Sequence, residues 1–180
     1  MMKALLLLVL LPVAALAQPL PPGAGGAGSP GLHHLYANGT SVGNGADTTQ
    51  DTLMTTTLVA GQLAAVGDVI SIQSGGTLAA TTDSRLVRLT FGGTVIASCT
   101  GTIAGSTAWY LDARVVKTGS NTQSYISNCT VASTANNVPR SGTLTLTDTG
   151  TIVVLVNGQN STNPVAGSIT AQAMMVDYLH

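Results

Sequence analysis

Charge is the scarcest thing in this 180-residue chain. Asp, Glu, Lys and Arg make up 7% of it, and there is no Glu at all. Globular domains usually carry about 25% charged residues. The few charges sum to −1 and are scattered, so no basic stripe exists to neutralise phosphates, and nucleic-acid binding loses its footing. Aromatics are 3% and cysteines number two. Two distant Cys without nearby His do not form a zinc set. No G-x-S-x-G elbow is present, and no His falls between His34 and His180, so Ser-His-Asp chemistry has no seat. The carboxylates Asp68, Asp83, Asp112, Asp148 and Asp177 are isolated in sequence, and Asp68 and Asp148 read as ordinary turn residues. The expectation is a chain with no catalytic residues, no cofactor and no metal site.

What remains is apolar and hydroxyl-rich. Apolar residues reach 44%, and the polar surface must be built from Thr, Ser, Asn and Gln. Thr favours strands because its branched Cβ restricts χ1. A nearly neutral surface of this kind is prone to association. Two readings stand: the surface is covered in an assembly, or it is a solvated hydroxyl surface.

Met1-Met2-Lys3, the apolar run Ala4 to Ala14 and the small-x-small site Ala15-Leu16-Ala17 form the three parts of a secretory signal peptide. The run is shorter than the ~20 residues a membrane-spanning helix needs. The expectation is an exported protein starting at Gln18, with no membrane span after cleavage. Residues 18–51 read as a linker and arm: a Pro/Gly-rich spacer, then His33-His34 and the turn signals Asn38-Gly39 and Asn44-Gly45. The G-x-G-x-x-G at Gly23, Gly25 and Gly28 follows no strand, so it is not a dinucleotide site.

From Thr52 to His180 the pattern is that of a β domain. In Arg85 to Phe91, Val87, Leu89 and Phe91 share one face. In Trp109 to Lys117, Trp109, Leu111, Ala113 and Val115 do the same. Such alternation marks strands with one buried face. Gly92-Gly93 signals a hairpin. Other strands are expected at Thr52 to Ala60, Val69 to Gln73 (ended by Gly75-Gly76), Gln123 to Val131, Gly142 to Thr147, Ile152 to Val156 and Ile169 to Tyr178; Leu58 to Ala65 has a helical turn as its alternative. About eight short strands predict a single antiparallel β-sandwich of jelly-roll type.

Cys99 and Cys129 form a disulfide in an oxidising compartment, or are two buried thiols. Trp109 is a core residue by its register, or else a sugar-stacking platform. Tyr110 and Tyr125 are the candidates for outward rings that could face a ligand such as a cell-surface glycan. Asp112 is expected to pair with Arg88 or Arg114 across strands.

The stretch GDVISIQSGGTLAATTDSRLVRLTFGGTVIAS, Gly67 to Ser98, resembles a jelly-roll module of tailed-phage virion proteins and related viral metagenome sequences. AWYLDARVVKTGSNTQS, Ala108 to Ser124, and the terminal SITAQAMMVDYL extend the resemblance over Thr52 to Leu179. The resemblance implies a non-enzymatic fibre, decoration or attachment module at a particle surface, as a homo-oligomer and often a trimer. In such an assembly Arg88, Asp112 and Arg114 are the candidate interface residues. A secretory start departs from the pattern of virion parts and points instead to a secreted surface protein that binds glycans.

Overall fold

The computed structural model describes residues 31–103, 105–132 and 137–180. The segment read as a signal peptide and the spacer through residue 30 lie outside the described residues.

The described residues fold as an all-β, antiparallel sandwich. Its strands are β1 (Leu32–Asn38), β2 (Val42–Gly43), β3 (Gln50–Leu58), β4 (Val69–Leu78), β5 (Thr81–Phe91), β6 (Thr94–Ile103), β7 (Thr107–Gly119), β8 (Thr122–Val131), β9 (Asn137–Leu144), β10 (Ile152–Asn160) and β11 (Ile169–Leu179). The large sheet runs β1-β11-β4-β7-β8-β9, with β2 also on β11, and the small sheet runs β3-β10-β5-β6. Setting aside β2 and the β8-β9 pair, early strands partner late ones: β1 with β11, β3 with β10, β4 with β7, β5 with β6. That is one long antiparallel ribbon rolled into two sheets, the order of a jelly roll. The strand count exceeds eight because Leu32–Asn38 and Val42–Gly43, read as arm, also form strands.

The alternation read from sequence is realised in β5 and β7. Val87, Leu89 and Phe91 from one sheet meet Trp109, Leu111, Ala113 and Val115 from the other in a shared core. Gly92 and Gly93, with φ of 57° and 82°, turn β5 into β6. A type I′ hairpin turn needs positive φ at both central residues, which glycine adopts without strain.

Four features differ from expectation, the first being that β9 covers Asn137–Leu144 where Gly142 to Thr147 was expected. Leu32–Asn38, read as arm, pairs with β11 from Leu32↔Leu179 to Asn38↔Met174, so the sandwich begins twenty residues before Thr52. The Leu58 to Ala65 stretch is a series of turns, anchored by buried Leu63, and not a helical turn. Gly75 and Gly76 do not end a strand: β4 runs through both to Leu78.

Close approach is the reason for Gly76. β11 bulges between Ala171 and Ala173, and the Thr170 carbonyl beside that bulge lies against Gly76. A Cβ on Gly76 would sit 1.8 Å from that oxygen. The Trp109 indole N–H donates to the same oxygen at 3.0 Å. Trp109 is 2% exposed, so its ring is core and its one polar atom is satisfied.

Cys99 on β6 and Cys129 on β8 are joined, with Cα atoms 5.4 Å apart. The bridge ties the small sheet to the large one at the edge that β8 adds. Ser127 strengthens the same seam by donating to the Ile96 carbonyl. Closing a loop with a separation of 30 residues is worth roughly 3 to 4 kcal/mol in the chain-entropy model.

Candidate functional site

Both sheets bury one face, so the chemistry available to partners lies on the two outward faces and at the sheet ends.

The outward face of the small sheet presents Thr52, Thr55 and Thr57 from β3, Val153 and Leu155 from β10, Leu86, Arg88 and Thr90 from β5, and Val95, Ser98 and Thr100 from β6. Among these Arg88 alone is charged. Its guanidinium reaches across β10 and donates to Gln50 Oε1 at 3.1 Å. The face is indented at both ends. One hollow of about 510 Å3 lies between Gly92-Gly93 and the β9–β10 loop, floored by Val153 and Leu155. The other, about 460 Å3, is bordered by the hydroxyls of Thr48, Ser84, Thr100 and Ser161.

The outward face of the large sheet is different. It carries Tyr110, Ile126, Met175 and Leu179, which are 45%, 60%, 38% and 39% exposed. Asp112 and Arg114 stand on β7 beside Ile126, around a shallow hollow of about 200 Å3. Tyr110 stands opposite Gly75, which stands opposite Ala173, so a ring, a bare backbone and a methyl group lie in a row across three strands. Burial and then the neighbouring Asp112 carboxylate push the Tyr110 phenol above its ordinary pKa, so it is protonated at neutral pH.

The residues singled out from sequence are thus divided. Arg88 lies on one side of the sandwich, and Asp112 and Arg114 on the other. The expected pairing of Asp112 with Arg88 is excluded because the core separates them, and no ion pair joins Asp112 to Arg114 either. Tyr110 points outward as expected. Tyr125 does not: it shares the inward side of β8 with Cys129 and packs against the core. Its ring lies over Gly142, where a Cβ would meet it at 2.9 Å.

Sequence reasoning missed a polar cluster at one end of the large sheet. Asp68, read as a turn residue, is 2% exposed. Its carboxylate accepts the Ala65 N–H at 2.7 Å and the Tyr178 hydroxyl at 2.8 Å, and lies 2.7 Å from His180 Nδ1. Burial raises its pKa, but these partners outweigh burial and hold the carboxyl below its usual range. The Tyr178 phenol is pushed up to about 12 by burial and by Asp68. His33 and His180 flank the Tyr178 ring, and His34 pairs with Asp177. The cluster fastens β1, β11 and the loop before β4 to one another.

Four other carboxylates are likewise committed to the frame. Asp47, Asp51, Asp83 and Asp148 each accept a backbone N–H, from Thr49, Gly45, Asn163 and Asn121 respectively. Asp148 also pairs with the buried Lys117. Among the described residues no three of His, Cys and Asp gather where they could hold one metal ion, and no helix is long and apolar enough to cross a membrane. Asn160, which opens the glycosylation sequon Asn160-Ser161-Thr162, is 3% exposed and bonded to Ser168 and Arg85, so folding closes that site.

No family model, curated protein or solved structure matches this chain.

Proposed function

We propose that this chain is an exported, non-enzymatic structural or attachment module that works by self-association, in the manner of a virion surface protein. The observation that carries the reading is the outward face of the small sheet: broad, rich in Thr and aliphatic side chains, and with Arg88 as its charge. Four strands at their usual spacing and length span about 19 by 34 Å, or about 650 Å2. That approaches the ~800 Å2 per partner of a standard stable interface. Around a three-fold axis one part of this face would pack on a different part of a neighbouring copy's; no like-charge cluster opposes that contact, and the two hollows give it relief to engage. The jelly-roll order and the resemblance over Thr52 to Leu179 agree with this use, and the resemblance favours a trimer. The commitment of Asp47, Asp51, Asp68, Asp83 and Asp148 to backbone N–H groups supports a role without acid–base chemistry.

The test is the mass of the exported chain in solution by light scattering. A mass three times that of the chain is expected. A monomer at micromolar concentration contradicts the reading. A second reading, a secreted glycan-binding protein, is favoured by one observation, the exposed ring of Tyr110.

A further inference from the structure

The outward face of the large sheet holds a small trough whose construction is unusual for a strand surface. Its floor is Gly75, which leaves backbone bare in the middle of β4. One wall is the Tyr110 ring. A Cβ on Gly75 would come within 3.7 Å of Tyr110 Cδ2 and 3.3 Å of the Trp109 carbonyl, so the ring leans over the glycine instead of standing away from the sheet. The opposite wall is Ala173 and Met175 on β11. Gln73 and Gln172 supply amides at the rim, and the space is about 250 Å3.

Gln172 is there because of the β11 bulge. The residue has no partner on β4, since the register steps from Ala171↔Gly76 to Ala173↔Gly75. A bulge leaves its extra residue unpaired and re-aims its side chain. The core accommodates that bulge at two points already described, the missing Cβ of Gly76 and the indole N–H of Trp109. Three residue choices, Gly75, Gly76 and Trp109, therefore converge on one surface feature.

We propose that this trough is a binding site for a neutral carbohydrate. A partly exposed ring lying along a shallow floor suits the C–H face of a pyranose. Two flanking amides, each both donor and acceptor, suit vicinal hydroxyls. The lining has no charged side chain, which selects a neutral sugar over an anionic one. At about 250 Å3 the trough is smaller than the ~300–1,000 Å3 of drug-sized sites and fits a terminal sugar unit. The inference does not rest on self-association through the small sheet. It requires only that the large-sheet face stay open in whatever assembly forms.

The experiment is an array of neutral oligosaccharides ending in glucose, galactose or N-acetylhexosamine, with sialylated and sulfated glycans as charged comparators. The exported chain is the probe, and calorimetry follows on the strongest binder. Neutral glycans are expected to bind, and Tyr110→Ala and Gln172→Ala are each expected to weaken them about tenfold or more. Both positions are on the surface, and light scattering of each variant is expected to give the parent mass. The proposal is overturned if no neutral glycan binds, if charged glycans bind better, or if Tyr110→Ala leaves affinity unchanged. It is also overturned if Tyr110→Ala alters the mass, because the face is then an interface between copies. A parent that is monomeric yet binds neutral glycans through Tyr110 removes the self-association reading and leaves this one standing.

Discussion

The two outward faces of the sandwich are built from the same strand geometry and use it differently. The small-sheet face carries Thr, Ser and aliphatic side chains between two end hollows, with Arg88 reaching across β10 to Gln50. The large-sheet face is broken up by a bulge, a pair of glycines and a tyrosine ring, with Asp112 and Arg114 unpaired beside them. A broad face of low charge can pack on a neighbouring copy around a three-fold axis. An uneven face with a local trough is better matched to a small ligand. Secondary structure alone does not separate the two, since both are antiparallel sheets with bulges; the side chains on their outward faces do.

The difference can be broken at its origin. Gly76→Ala places a Cβ on the Thr170 carbonyl and leaves no room for the bulge. The expected loss exceeds about 4 kcal/mol, in the range reserved for severe overpacking, and is read as a collapse of the thermal or urea transition. If Gly76→Ala melts like the parent, the close approach does not govern the large-sheet face.

The tie between the sheets comes next. Cys99→Ser with Cys129→Ser removes the bridge that holds β6 to β8, and roughly 3 to 4 kcal/mol of stability goes with it. Urea midpoints of the parent and the double variant measure it. Equal midpoints would mean that the seam is held by β6 and β8 packing alone.

Tyr178→Phe probes the fastening at the end of the large sheet. It removes a hydrogen bond to the ionised Asp68 carboxylate, worth about 1.5 to 3 kcal/mol. It also changes the response to alkali. The folded phenol titrates at about 12, against about 10 when unfolded. Between those values the unfolded chain has lost a proton that the folded chain keeps, so this contribution to stability is present below pH 10 and is lost as pH rises toward 12. The parent should therefore lose stability more steeply over that window than Tyr178→Phe. Parallel slopes would remove Tyr178 from the cluster.

The fold was legible where burial is one-sided. β5 and β7 alternate strictly, so their register could be read from residue order. β1 could not be read this way: Leu32 to Asn38 is an edge strand with mostly exposed or half-buried residues, and no face of it is consistently apolar. β8 misled in another way. Tyr125, Ser127, Cys129 and Val131 face inward while Ser124, Ile126, Asn128 and Thr130 face outward. Both sets mix polar and apolar residues, so a one-residue shift in register looks equally good. Gly75-Gly76 carries a turn signal that only a contact with Thr170, remote in sequence, overrides. Asp68 was hidden for the same reason: Tyr178 and His180 lie more than a hundred residues away and meet it only because β11 runs beside β4. Arg88, Asp112 and Arg114 looked like one group from their alternation, and the division of strands between two sheets is what separates them.

The most direct test is a three-way light-scattering measurement on the parent, Val153→Lys and Tyr110→Ala. Val153 is 44% exposed on the floor of one end hollow of the small-sheet face, so a lysine there should shift folding stability by no more than about 0.5 kcal/mol. The account predicts that the parent is a trimer, that Val153→Lys is a monomer with an unchanged melting transition, and that Tyr110→Ala remains a trimer. A parent that is already monomeric, or a Val153→Lys variant with the parent's mass, would contradict it.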